Sequence, residues 1–118
     1  MWKETSQWGG RVNHWFSLRA HYSEWVGLLT KAAHAAQQLD KPQVKGNHLG
    51  NLGIAYRNLG EVSKAISFTK QALDISREIG DRRGEGTDLG NLGNAYRHLG
   101  EVNKAISFYG QADRKSVV

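Results

Sequence analysis

The chain has 118 residues, 39% of them hydrophobic, with a formal net charge of +5 and no cysteine. That length bounds it to about one domain, and the lack of thiols excludes disulfides and thiolate metal sites while fitting a reducing cytoplasm. No apolar run approaches the roughly 20 residues of a membrane helix, and MWKETSQWGG lacks the apolar core of a signal peptide, so the sequence predicts a cytoplasmic protein with no membrane contact.

The positive charge is dispersed. Residues 1–48 carry six Lys/Arg and three Asp/Glu, residues 49–118 carry ten and eight, and no block of five basic residues occurs. This pattern reads as solvated helix faces rather than as a nucleic-acid footprint. The organising feature is a repeat: 49–72 recurs at 89–112 with 19 of 24 positions identical. A fixed period of this size marks stacked supersecondary units. A forty-residue period divides the chain into 6–45, 46–85 and 86–118.

The first unit, 6–45, falls into register by apolar pattern more than by identity: Phe16 on Tyr56, Val26 on Ile66, Leu28 on Phe68 and Ala32 on Ala72. Helices are expected over 10–19 and 22–38. Trp2, Trp8, Trp15 and Trp25 all lie here. Trp25 stands in the place of Ala65, and Asn13 in that of Gly53, which predicts a splayed hairpin with aromatic capping at the end of an array.

In the second unit, 46–85, Leu49, Leu52, Gly53, Tyr56 and Leu59 form one helical stripe. It predicts a helix A over 47–59, ended by Gly60. Val62, Ala65, Ile66, Thr69, Ala72, Leu73, Ser76 and Ile79 form a second stripe over 62–79, widened by Phe68 and Ile75. An arc that wide suggests contact on two sides. GDRRGEG is expected to turn the chain into the next unit. Gly50 and Gly53 each cost about 1 kcal/mol of helix propensity against Ala, which suggests that the missing side chains serve close packing, Gly53 with Ala65 letting helix A approach helix B.

The third unit, 86–118, repeats the pattern with helices over 87–99 and 102–113, then departs from it. QADRKSVV replaces QALDISRE, so Asp113 and Lys115 break the stripe and the helix should fray near 112–114. Val102, Ala105, Ile106, Phe108, Tyr109 and Ala112 then face the place of a missing neighbour. An apolar patch of a few hundred Å² is expected there, open to self-association or to further repeats of a longer chain.

The two-helix unit, with Leu49, Leu52, Gly53, Tyr56, Ala65 and Ala72 and again Leu89, Leu92, Gly93, Tyr96, Ala105, Tyr109 and Ala112, resembles the tetratricopeptide repeat family. Its forty-residue length is similar to the arrays of kinesin light chains, Pins-type scaffolds and bacterial signalling NTPases. The resemblance implies an all-α, right-handed α-solenoid of about three hairpins. It also implies non-catalytic binding of a protein or peptide on the concave helix A face. A regulatory or sensor segment of a larger NTPase array is an alternative, as is an RNA-binding helical repeat. The RNA reading rests on charge and on Arg57 and Arg97, without aromatic residues on the same face for base stacking.

Opposite the core stripe lie Asn47, Asn51, Ile54 and Asn58, flanked by Arg57; Asn91, Asn94 and His98, flanked by Arg97; and, in the first unit, Arg11 and His14. Asn offers a donor and an acceptor, which suits an extended peptide backbone, and Arg suits carboxylates. The carboxylate clamp of chaperone-binding members is mostly missing: Asn51 matches it, whereas Gly10, His14, Thr87 and Asn91 do not. His14, His21, His34, His48 and His98 form no HExxH pattern, and no P-loop or Ser-His-Asp spacing exists. The sequence therefore predicts no catalysis, cofactor or metal site.

Overall fold

The computed structural model describes the backbone of residues 2–116 and the side chains of 17–115. Five helices follow one another: α1 Trp2–Gln38, α2 Pro42–Asn58, α3 Val62–Ile79, α4 Arg82–His98 and α5 Val102–Ser116. No strand occurs among the described residues, and no helix among them is long and apolar enough to cross a membrane. The architecture is an all-α helical-repeat solenoid in which each helix packs on the next.

Helix ends follow local chemistry. After α2 the Gly60 N–H donates to the Arg57 carbonyl and the Glu61 N–H to the Tyr56 carbonyl, and Gly100 and Glu101 repeat this after α4. This closure needs a residue at positive φ, and Gly60 and Gly100 take φ 81° and 78°. Forty residues before Gly60 the chain has Ala20, the best helix former. The turn expected between 19 and 22 is therefore absent, and α1 is one helix of 37 residues. It stops at Asp40, which takes φ 53° in the register position of Gly80.

The missing turn changes the role of the first unit. Leu29, Ala33 and Ala36 are buried, as are their register partners Thr69, Leu73 and Ser76, so the second half of α1 packs like a helix B. Leu28 is 66% exposed, whereas its counterpart Phe68 stacks on Tyr56 with ring centroids 5.3 Å apart. No helix A folds back onto α1 to cover Leu28. Trp25 packs at the margin of the core rather than splaying a hairpin. Trp2, Trp8 and Trp15 lie outside the described side chains.

Helices α2 and α4 begin five residues earlier than expected. Pro42 opens α2, where its fixed φ suits the first helical turn and its lack of an N–H costs nothing. Asp81 caps α4, accepting the Gly84 N–H at 2.9 Å. GDRRGEG is thus mostly helix, and only Gly80 and Asp81 form the turn.

The core has two centres that share α3. Leu29, Ala33, Leu49, Leu52 and Ala72 make the first. Leu73, Leu89 and Leu92 make the second, with Ile66, Tyr96, Phe108 and Ala112 against it. Ala72 joins the first centre and Leu73 the second, which is why the apolar arc of α3 is wide. In both hairpins a helix A tyrosine stacks on a helix B phenylalanine, and Lys64 or Lys104 lies over the tyrosine ring.

Helix α5 continues to Ser116 rather than fraying near 112–114. Lys115 does not break the packing: its Nζ reaches Glu85 Oε1 at 3.5 Å, and Arg77 Nε reaches the same oxygen at 3.1 Å. The exposed end is also narrower than the stripe suggested. Ala105 is buried, Phe108 and Tyr109 are half-buried, and the large apolar groups left open on α5 are Val102 and Ile106, at 57% and 62% exposure. Ile66, the counterpart of Ile106, packs against the second core centre. Ile106→Lys should therefore change the unfolding free energy by less than about 0.5 kcal/mol in dilute solution. A loss above about 1.5 kcal/mol by urea denaturation would mean that this side chain is covered by another chain.

Candidate functional site

Helices α2 and α4 are the two A helices, and the C-terminal end of α3 lies between them. Together they enclose a cleft of about 500 Å³. From α2 it is lined by Gln43, Gly46, Asn47, Gly50, Asn51 and Ile54. From α4 come Arg83, Gly84, Thr87, Asp88 and Asn91, and Ile75, Ser76 and Ile79 close the α3 side. Gly46 and Gly84 let α3 come close, since a Cβ there would stand 3.2 Å from Ile75 and 2.9 Å from the Ser76 hydroxyl, whereas Gly50 faces Asp88 of α4.

Asn47, Asn51, Ile54 and Asn91 are brought to this one cleft. The remaining candidates do not line it. Arg57 is half-buried near the end of α2, and Asn58 donates its amide to the Ile54 carbonyl at 3.1 Å. Arg97 and His98 are exposed in the last turn of α4. Asn94 is engaged by α5, its Oδ1 accepting the Tyr109 hydroxyl at 2.5 Å. Arg11 and His14 lie outside the described side chains.

Asp88, Ser76, Arg83 and Gln43 are cleft residues that the sequence reading did not select. Asp88 is 6% exposed, and the Ser76 hydroxyl donates to its Oδ2 at 3.0 Å. Burial raises the Asp88 carboxyl from its ordinary 3.8 to about 6, the Ser76 hydrogen bond opposes the rise, and the nearby Asp81 charge adds to it. At the α1–α2 junction the same two register positions hold Ala36 and His48, and His48 Nδ1 is buried without a partner. The polar pair is therefore specific to the α3–α4 junction. Position-by-position comparison of the repeats carried that signal, since 76 and 88 both change character between units.

Beneath the cleft Glu85 is tied to α3 by Arg77 and to α5 by Lys115. Burial alone would raise its carboxyl; the Arg77 hydrogen bond and the Lys115 charge outweigh burial and hold it below the usual carboxylate value. This network fixes α4 between its neighbours.

Comparison with known proteins agrees with the geometry. The family model described as tetratricopeptide repeat matches residues 45–112. The crystal structure of the TPR domain of Arabidopsis FLU superposes with a TM-score of 0.72 at 20% sequence identity, covering 87% of this chain and 94% of that one. A search of curated proteins gave no match.

Proposed function

We propose, from the premise that the chain belongs to the tetratricopeptide repeat family, that it is a non-catalytic interaction module holding an extended peptide or partner segment in the α2–α4 cleft. Repeats of this family mediate protein–protein interaction and are as a rule scaffolds without catalysis. The observation that carries the reading is that Asn51 and Asn91, forty residues apart, line one cleft together with Asn47. Each amide supplies a donor and an acceptor, which matches the alternating needs of an extended backbone. Ile54 adds an apolar contact on the same surface. A reducing cytoplasm suits a chain with no cysteine.

A degenerate heptapeptide library immobilised on beads tests this. The double variant Asn51→Ala/Asn91→Ala should bind at least about tenfold more weakly than wild type, a loss of roughly 1.4 kcal/mol. Asn103→Ala, on exposed α5, should bind as wild type does. Equal binding by all three proteins would reject the cleft as the site.

A further inference from the structure

We propose that the α2–α4 cleft seats a cationic side chain, lysine or arginine, of the bound peptide segment, with Asp88 Oδ1 receiving its charge. The inference rests on the peptide-cleft reading above and names the chemistry the cleft selects.

Asp88 lies where α2, α3 and α4 meet and is almost wholly buried. Ser76 satisfies Oδ2, whereas Oδ1 has no donor among the described residues. The charge that acts on Asp88 is a second carboxylate, Asp81, and no cation among the described residues offsets it. Arg83 stands on the rim and also borders the neighbouring cleft of Arg82 and Lys115. A protein of net charge +5 thus lines this cleft with two carboxylates and one guanidinium.

A buried carboxylate with no counter-charge is costly, and an incoming ammonium or guanidinium removes much of that cost. The way to Oδ1 is open because position 50 is glycine. A Cβ there would stand 3.5 Å from Oδ1, so a longer side chain would cover it. A peptide side chain fits better than a free amine, because Asn51 and Asn91 line the same cleft with groups suited to a backbone.

Four capped heptapeptide pools, with central lysine, arginine, acetyl-lysine or glutamate, separate the outcomes by fluorescence anisotropy near neutral pH. Lysine and arginine pools should bind at least about tenfold more tightly than the acetyl-lysine pool. Asp88→Asn can still accept from Ser76, so the fold should be kept, and it should reduce that preference to about twofold or less. Gly50→Leu should weaken the two cationic pools most. Equal affinity for all four pools, or a preference that survives Asp88→Asn, overturns the cationic assignment. If such pools still weaken with Asn51→Ala/Asn91→Ala, the cleft stands and only its charge selectivity falls. No binding by any pool overturns both.

Discussion

Gly93→Ala is expected to destabilise the protein by about 2 kcal/mol, although alanine favours helices. A Cβ on Gly93 would stand 2.6 Å from the Tyr109 ring. That ring is held on the other side of its hairpin, its hydroxyl bound to Asn94. It can move only by giving up that hydrogen bond or by forcing α4 and α5 apart. Gly90→Ala gives the opposite result. Nothing lies within 4 Å of a Cβ there, so the helix gains up to about 1 kcal/mol of propensity. The two glycines sit one turn apart on α4, which makes the pair a test of packing rather than of helix formation. In a Tyr109→Ala background the cost of Gly93→Ala should fall to about 0.5 kcal/mol or less, and the difference is the coupling between the two residues. Equal costs in both backgrounds, from urea denaturation, would contradict the close approach.

Asp88→Asn should stabilise the protein near neutral pH by up to about 3 kcal/mol and change it little below about pH 4. The sign follows from the raised carboxyl. A group at about 6 in the fold and 3.8 in the open chain favours folding when protonated. That advantage is complete below 3.8 and is lost as pH rises through 6, so the ionised aspartate opposes folding above 6. Asparagine is neutral throughout and still accepts from Ser76. Glu85 acts with the opposite sign. Its lowered carboxyl supports the fold above the ordinary value of 4.5, and that support is lost as pH falls. Its contribution is modest, because Arg77 and Lys115 are 50% and 38% exposed and solvent screens them. Thermal melts of both proteins across the acid range check this. An Asp88→Asn protein less stable than wild type near neutral pH would rule out a raised Asp88 carboxyl.

The regular part of the fold was legible because its rules are local. Glycine at 60, 80 and 100 marks three helix ends, and the stripes through Leu49 and Leu89 give the buried faces. The first unit misled because apolar register was kept where turn chemistry was not. Ala20 in place of a glycine decides against a hairpin, and that one residue outweighs the alignment of Phe16 with Tyr56. The pairing of Gly53 and Gly93 with helix B could be read from the repeat, but the freedom at Gly90 could not, since it depends on what lies across a gap. At the cleft, Asn47, Asn51, Ile54 and Asn91 followed from helical phase. Gln43 and Arg83 did not, because the A helices start a turn earlier than their stripes. Asp88 adjoins Leu89 in the buried stripe, and its meaning comes from Ser76, twelve residues away on another helix. No period links those two positions. Asn94 shares the phase of the polar face yet is held by Tyr109 of α5, and Arg97 lies in the last turn of α4, away from the cleft.

Binding between α2 and α4 should be visible residue by residue in solution. The most direct measurement is a two-dimensional NMR titration of the labelled full chain with the lysine-centred heptapeptide pool. Shifts should concentrate on the amides of Asn47, Gly50, Asn51, Asp88 and Asn91 and on the asparagine side chains, and leave Val102 and Ile106 unmoved. Shifts confined to Val102, Ile106 and their neighbours on α5, with the cleft silent, would contradict it.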